Sequence, residues 1–590
     1  MPFDLLEQSA LRGERGGRRF VGPALVAVAL VATLAWTRDT WADPIIDFGN
    51  ELYLAWRLAA GAVLYRDVAA LHGPLSPYWN ALWFRALGTS LRTLELANLA
   101  VLAALLALVF RALRRQAGET AATLGGLTVV LVFACGQLLP IANYNWLCPY
   151  SHEMTHGIVL SLLALAVIGA GERLSASRAA LAGVVLGLVF LTKGEVFLAA
   201  LAGFAVALAL DRRATDRRRI LAAVSLGFAV PPLAAFLLLR LAMPAHEALV
   251  GTFGTLAHFN ARETVGQAFY RQITGLDDPM ASLRRGALWT LGGVAYLAPG
   301  VLLSRLAKPA AAVLAAAFGI GVALFAWQRI DWSGVAAPLP LLIGGTLVAT
   351  GLAWRRGGAS NPARVERLGL LVFALALLAK LGLRSRLWHY GFGLALPATA
   401  CAVALAWSWV PRRLEARGGQ AVAWRTLVLV AWVACVGAHL RVTAQYLDRK
   451  TVRVGSGADA FLADARGSVV AQAVEALGRE PETATLVAIP EGAMLNYLAR
   501  RPSSVPYQSY IPHALAVWGE ERIVGALAAR PPSVVVLVGR SMREFGAGEL
   551  GRDYGVDLMR WVDERYAPIA VLGGAGAATR LEIRHPLKNE

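Results

Sequence analysis

Charge is scarce in this chain. Only 16% of its 590 residues are Asp, Glu, Lys or Arg, 57% are hydrophobic, and the mean hydropathy is +0.53. A water-soluble surface cannot be covered from so little polar side chain, so the membrane is the expected solvent. Cysteine is scarcer still. Cys135, Cys148, Cys401 and Cys435 make no CxxC pair, which indicates neither a disulfide framework nor a zinc site and leaves buried thiols as the expectation. Acids are outnumbered, 39 against 57 basic residues, for a formal net charge of +18. The arginines nevertheless fall in short clusters between apolar runs, the pattern of membrane topology and not of a nucleic-acid-binding stripe. No small-residue cleavage site follows the first apolar run, where Trp36, Arg38 and Asp39 stand. The basic amino terminus, with Arg12, Arg15, Arg18 and Arg19, therefore reads as the start of a retained signal anchor. Internal repeats of fixed period and low-complexity linkers are not visible.

Long apolar runs are abundant. A bilayer core about 30 Å thick needs roughly 20 apolar residues per helix, and about thirteen runs approach that length. They are Phe20 to Thr37, Arg92 to Phe110, Ala122 to Ile141, Gly157 to Gly171, Arg178 to Lys193, Glu195 to Leu210, Ile220 to Leu241, Gly286 to Ser304, Pro309 to Trp327, Ala337 to Trp354, Arg367 to Gly382, His389 to Val410 and Trp424 to Leu440. The pair meeting at Lys193-Gly194-Glu195 reads alternatively as one long broken span. With the amino terminus (residues 1–19) inside, the positive-inside rule is met. The inner loops then hold Arg111, Arg114 and Arg115; Arg173 and Arg178; Arg212, Arg213, Arg217, Arg218 and Arg219; Arg305 and Lys308; Arg355, Arg356, Arg364 and Arg367; and Arg412, Arg413 and Arg417. An odd number of crossings places the segment from residue 443 to 590 outside. There Thr485 to Ile489, Val534 to Val538, Ile569 to Leu572 and Leu581 to Ile583 predict strands, and Glu491 to Leu498 and Leu558 to Tyr566 predict helices, a small extracytoplasmic α/β domain. The stretch Gly573-Gly574-Ala575-Gly576 lacks the spacing and the strand-to-helix placement of a dinucleotide fingerprint and reads as a loop.

Residues 38–91 form a long first outer loop. Asp39, Asp43, Asp47 and Glu51 recur at intervals of four, but Pro44 disfavours helix at Asp43, so a helix is expected to begin after Asp47, which would cap it. From Phe48 onward Leu52, Ala55, Ala59 and Val63 form an apolar stripe with Glu51 and Arg57 off it, the pattern of a helix resting in the membrane interface. Pro74 and Pro77 open a second such helix carrying Trp79, Trp83 and Phe84 at headgroup level.

The run Asp47-Phe48-Gly49-Asn50-Glu51, then Gly61 to Asp67 (GAVLYRD), then His72 to Tyr78 (HGPLSPY), resembles the first outer loop of bacterial GT-C glycosyltransferases of the protein O-mannosyltransferase and aminoarabinose transferase superfamily. Leu191-Thr192-Lys193-Gly194-Glu195 is similar to that family's LTKG segment, although many members carry Pro where Glu195 stands. The resemblance implies a GT-C fold in residues 20–442 and transfer of a sugar from a polyprenyl-phosphate donor, with inversion, to a lipid, polysaccharide or protein acceptor outside the cytoplasm. It implies Asp47 as the catalytic base, because the family places a functional acid just before the first interfacial helix; a helix cap is the structural alternative. Asp43 is the reserve, and Glu153 stands where members often carry a second acid. Lys193 is expected to meet the donor phosphate, against the alternatives of snorkelling or an ion pair with Glu195. Glu51, His72, Tyr78 and Glu195 fall in the same segments, Tyr144 in the Pro140 to His156 loop with Glu153 and His389 beside Arg386, and all six are expected to face substrate.

Transfer of this kind needs a base for the acceptor hydroxyl and cations for the departing phosphate. Arg384, Arg386 and His389 crowd the outer start of a span, where basic residues run against the topological rule and anion binding supplies the reason; headgroup contact is the alternative. No cofactor is required. A divalent metal at His152, Glu153 and His156 is one reading, though their order is not HExxH, and plain polar interfacial side chains are the other. The competing functions are a lipid or solute transporter, suggested by the charges around Lys193, and a scaffold whose external domain recruits partners. The richness in alanine, arginine and glycine fits a bacterial cytoplasmic membrane protein.

Overall fold

A computed structural model of the protein describes residues 20–171, 173–211, 213, 216–258, 268–356, 362–574 and 579–587. The amino-terminal arginines, Arg212 and the Ala575-Gly576 part of the glycine-rich stretch lie outside them. Each of the thirteen apolar runs contains helix. Among the described residues, seven helices are long and apolar enough to cross a membrane, and five apolar helices of 10–17 residues stand beside them. Helix length and composition alone thus support seven of the thirteen expected crossings: the shorter five fall below the roughly 20 residues of a full span, and the helix of the remaining run, Pro362–Ala379, has 18 residues and carries Arg364, Glu366 and Arg367.

The outward faces of the long helices are apolar. Leu226, Leu233 and Leu237 on Arg217–Arg240, Leu288 and Leu291 on Pro279–Leu302, and Leu324 on Lys308–Ala326 are all exposed. A helix that is apolar on the side away from its neighbours has lipid as its solvent. On the inward side, small residues bring backbones together: a Cβ at Gly227 would lie 2.1 Å from the Ala180 carbonyl oxygen, and one at Gly183 2.3 Å from that of Val224. This clasps Ala176–Phe190 against Arg217–Arg240, the close approach that small residues permit in membranes.

Beyond the last membrane helix, Val422–Leu447, a two-stranded hairpin pairs β1 (Val452–Val454) with β2 (Phe461–Ala463). A mixed sheet follows in the order β3 (Leu486–Ile489), β4 (Val534–Gly539), β6 (Arg580–Pro586), β5 (Tyr566–Leu572). β3 and β4 are parallel, with Leu486 opposite Val534 and Ile489 opposite Leu537. Their crossover carries helices Ala493–Ala499, Pro512–Trp518 and Glu520–Ala529. All four β3 residues are buried, as both faces of a covered parallel strand must be. The four predicted strands and two predicted helices of this region are present, with ends shifted by a few residues.

The loop of residues 38–91 is sandwiched between the membrane helices and this sheet region. Its helix Phe48–Ala59 packs on Ala493–Ala499, and the Leu462 N–H donates to Asp39 O at 2.7 Å, Ala69 N–H to Pro506 O at 2.9 Å and Ser503 N–H to the Tyr53 hydroxyl at 2.9 Å. Burial therefore reaches Phe48, Glu51, Leu52, Tyr53, Leu54, Ala55 and Leu58, well beyond the one apolar stripe of an interfacial helix. The helix also stops before Val63, because Gly61 turns the chain at φ 99°. The second loop helix is Leu75–Leu87, with Trp79 exposed.

Candidate active site

Two of the sequence motifs meet. The membrane helices Ala176–Phe190 and Gly194–Leu210 are separated by a break at Leu191-Thr192-Lys193, which frees backbone carbonyls that the loop satisfies. Gly73 N–H donates to Thr192 O at 2.8 Å and Leu75 N–H to Leu191 O at 3.0 Å. A Cβ at Gly73 would lie 2.3 Å from the Leu191 carbonyl, so this docking needs glycine. HGPLSPY is thus the clamp that holds the LTKG break in place.

The break aims Lys193 inward. Its ammonium donates to the Tyr150 hydroxyl at 3.1 Å and to Ser151 Oγ at 3.4 Å, lies 4.8 Å from the Tyr150 ring centre, and approaches Glu195 Oε1 at 3.9 Å. Lys380 faces the same Glu195 oxygen at 3.9 Å. Ser151 in turn donates to Glu153 Oε2 at 2.8 Å. His72 closes this side: its Nδ1 lies 2.8 Å from Thr255 Oγ1, and burial, with Lys193 nearby, pushes its imidazole down to about 4, so it is neutral at physiological pH.

Asp47 lies across an aromatic cluster from Lys193. It stands at the amino-terminal cap position, just before helix Phe48–Ala59, with φ 52°, a positive-φ conformation that costs a non-glycine residue energy and persists only where the surroundings impose it. Its side chain makes no capping hydrogen bond. It accepts instead from Asn143 Nδ2 at 3.2 Å, while the same amide donates to Ile46 O at 3.1 Å. Burial pushes the Asp47 carboxyl up to about 6, against the opposing pull of Arg540 and of the Asn143 hydrogen bond. Between Asp47 and Lys193 stand Tyr144 and Tyr150, with ring centres 5.5 Å apart, and His389 lies 4.7 Å from Tyr144. His389 is itself left-handed, at φ 55°. Arg386, buried, stacks 4.4 Å over Trp388 and reaches His389 Nδ1 at 3.5 Å, and its Nε has no hydrogen-bond partner.

Glu51 is buried one helical turn beyond Asp47. Asn98 Nδ2 donates to His152 Nε2 at 2.9 Å, so Nδ1 carries the ring proton and donates to Glu51 Oε2 at 2.7 Å. Burial pushes the Glu51 carboxyl up to about 8, opposed by Lys193 and by hydrogen bonding from the His152 backbone. His156 Nδ1 lies 3.0 Å from Ser76 Oγ. Among the described residues, no group of three or more His, Cys, Asp or Glu side chains gathers at a metal-sized site.

Asp47, Glu153, Lys193, Glu195, His72, Tyr144, Arg386 and His389 are thus brought into one buried cluster linked through Tyr144 and Tyr150, with Glu51 behind Asp47. Three other expected residues stand apart. Asp43 is fully buried, accepting from Ile45 N–H, Ile46 N–H and Ala142 N–H and pairing with Arg466 at 2.8 Å, so its oxygens are committed to tying the loop to the helix Arg466–Gly478. The Tyr78 hydroxyl accepts from Leu64 N–H at 3.3 Å and braces the GAVLYRD turn. Arg384 lies at the rim, donating to Gln272 O at 3.0 Å and facing Asp277 at 3.7 Å.

No family model and no curated protein matches the chain. Among solved structures, it is similar to the Archaeoglobus fulgidus oligosaccharyltransferase in complex with Zn and sulfate, at 16% identity over 94% of this chain and 72% of that one, with a TM-score of 0.47. The same oligosaccharyltransferase tethered to an acceptor peptide containing the NVT sequon matches at 14% identity over 95% and 74% of the chains, with a TM-score of 0.49. ArnT from Cupriavidus metallidurans bound to undecaprenyl phosphate matches at 14% identity over 97% and 99%, with a TM-score of 0.47. Likeness at that distance assigns no activity, and the chemistry rests on the cluster itself.

Sequence reasoning did not place Arg540, which pairs with Glu491 and Glu544 and acts on Asp47 from the sheet region. One signal pointed to it: it follows the carboxyl end of a parallel strand, where α/β sheets present functional side chains. Tyr270, whose ring lies 5.4 Å from the Lys380 ammonium, carried no such signal.

Proposed function

We propose that the protein is a membrane glycosyltransferase that moves a sugar from a polyprenyl-phosphate donor to a glycan, lipid or protein acceptor on the outer face of a bacterial cytoplasmic membrane. In this reading residues 20–442 form the catalytic membrane unit of about thirteen crossings, the amino terminus is inside, and residues 443–590 cover the site from outside. The acceptor oxygen attacks the anomeric carbon, and its proton passes to Asp47. The bond from that carbon to the phosphate oxygen breaks with its electron pair, inverting the carbon, and the phosphate leaves against Lys193 and Arg386. Glu195 draws the Lys193 and Lys380 ammoniums together, and Glu153 holds Ser151 beside Lys193. Prenyl chain and headgroup would approach through the apolar wall formed by Leu138, Leu139, Leu387, Trp388 and Phe392 next to Tyr144 and His389.

The observation that carries this reading is Asp47: a carboxylate held in a strained backbone conformation that forgoes the helix cap and belongs to the buried cluster that also holds Lys193 and Arg386. Strain and a raised carboxyl are the marks of a base poised near neutral pH. The test is a panel of radiolabelled polyprenyl-phosphate sugars supplied, with acceptor extract, to the purified protein in lipid vesicles. Transfer of label to acceptor from one donor supports the reading. Label that crosses the bilayer still attached to its prenyl chain would replace it with lipid transport.

A further inference from the structure

The sheet region holds a groove that the reaction above does not use. It has a volume of about 760 Å³, within the few hundred to 1,000 Å³ of ligand sites. It opens beyond the carboxyl ends of the parallel strands, between Pro490, which follows β3, and Arg540, which follows β4. Loops at that edge are where open α/β sheets bind ligands.

The groove's charges are unevenly spent. Four arginines line it. Arg580 pairs with Glu582 at 3.4 Å, and Arg540 with Glu491 and Glu544, whereas among the described residues Arg543 and Arg552 make no ion pair. Two uncommitted guanidiniums in one concavity suit a phosphate or a carboxylate, which they bind through paired N–H groups. Glu549 and Asp553 share the wall, and Asp553 accepts from Glu549 N–H at 2.7 Å. Carboxylates there would repel a bare polyanion but accept hydrogen bonds from hydroxyl groups.

The groove is also fastened to the buried cluster around His389. The turn Arg543–Phe545 stacks Phe545 on Phe269 with ring centres 4.9 Å apart, and Phe269 lies 6.1 Å from His389. A ligand held by Arg543 is therefore two aromatic contacts from the proposed transfer site.

We infer that this groove is the acceptor subsite and takes an anionic saccharide, with Arg543 and Arg552 on its phosphate or uronate group and Glu549 on a hydroxyl. The inference rests on the transferase reading for the word acceptor, but not for the binding. The test uses the full-length protein in lipid nanodiscs and saturation-transfer NMR titrations with three probes: a glucuronate-containing trisaccharide, its 6-phosphorylated counterpart without the uronate, and the neutral trisaccharide. One or both anionic probes bind, and which one does identifies the anion. The neutral probe and the double variant R543Q/R552Q each show affinity about ten-fold lower or worse, as expected for the loss of charge-assisted hydrogen bonds. R543K/R552K retains most of the binding, which separates lost charge from lost folding. Equal binding of the neutral probe, no binding of any probe, or wild-type affinity in the glutamine variant would overturn the inference. Polyprenyl phosphate release by hydrolysis, with no acceptor present, reads the transferase alone. If release persists while no saccharide binds, only the groove assignment fails; if saccharides bind while no donor is cleaved, only the transferase assignment fails.

Discussion

The most discriminating consequence of the Asp47 geometry is a pH profile. A base with an ordinary aspartate value of 3.8 would stay ionised, and rates would be flat, down to about pH 5. Burial raises Asp47 to about 6, so about ten-elevenths of it is ionised at pH 7 and about one-eleventh at pH 5, and kcat/KM for sugar transfer should fall about ten-fold between them. The sign is fixed: only the ionised carboxylate can accept the acceptor proton, so activity is lost on the acid side. Arg540 lowers the Asp47 value. Arg540→Gln removes that charge and leaves Glu491 and Glu544 unpaired beside it, so the acid limb should move to higher pH. The assay is initial transfer rate against pH in vesicles, with donor and acceptor both below saturation. A profile flat to pH 5, or an acid limb that stays in place in Arg540→Gln, would refute the assignment of Asp47 as the base.

Other outcomes follow from the packing. Lys193→Met should lower kcat by roughly two to three orders of magnitude, the usual cost of removing a group that stabilises developing negative charge, while donor binding measured by equilibrium dialysis changes far less. Gly227→Leu drives a side chain into the Ala180 carbonyl, and the helix pair should open with a loss of about 1–3 kcal/mol or more, read as a lowered thermal midpoint in detergent. Arg466→Met leaves the fully buried Asp43 without its cation and should cost about 3–5 kcal/mol, much of it restored when Asp43→Asn is added. A wild-type thermal midpoint in Arg466→Met would show that Asp43 is not held as a charged pair.

Much of the architecture was legible because the membrane imposes a coarse code. Apolar runs such as Ile220 to Leu241 have one stable form, since their backbone groups can be satisfied only within a helix. The strands at 486–489 and 534–539 were equally plain as short β-branched runs. The site was half legible. Asp47, Lys193 and His72 lie in motifs that the resemblance marks, but the sequence does not reveal that HGPLSPY and LTKG are hydrogen-bonded to each other. In the sequence Glu51 lies off a single apolar stripe, at a position that would be wet if one face of the helix were free. The helix is covered on both sides, by membrane helices and by Ala493–Ala499, and a one-sided pattern cannot report a second partner 440 residues away. Arg540 was hidden for the same reason: its role depends on the sheet region folding back over the loop.

The most direct measurement of the central claim is single-turnover release of polyprenyl phosphate from the donor that the panel identifies, comparing wild type with Asp47→Asn, in which the side chain keeps its size and its contact with Asn143. The account predicts fast release by the wild type with the sugar inverted on the acceptor, and release slowed by about two orders of magnitude or more in the variant, the scale of a lost general base. Release by Asp47→Asn at the wild-type rate would contradict it.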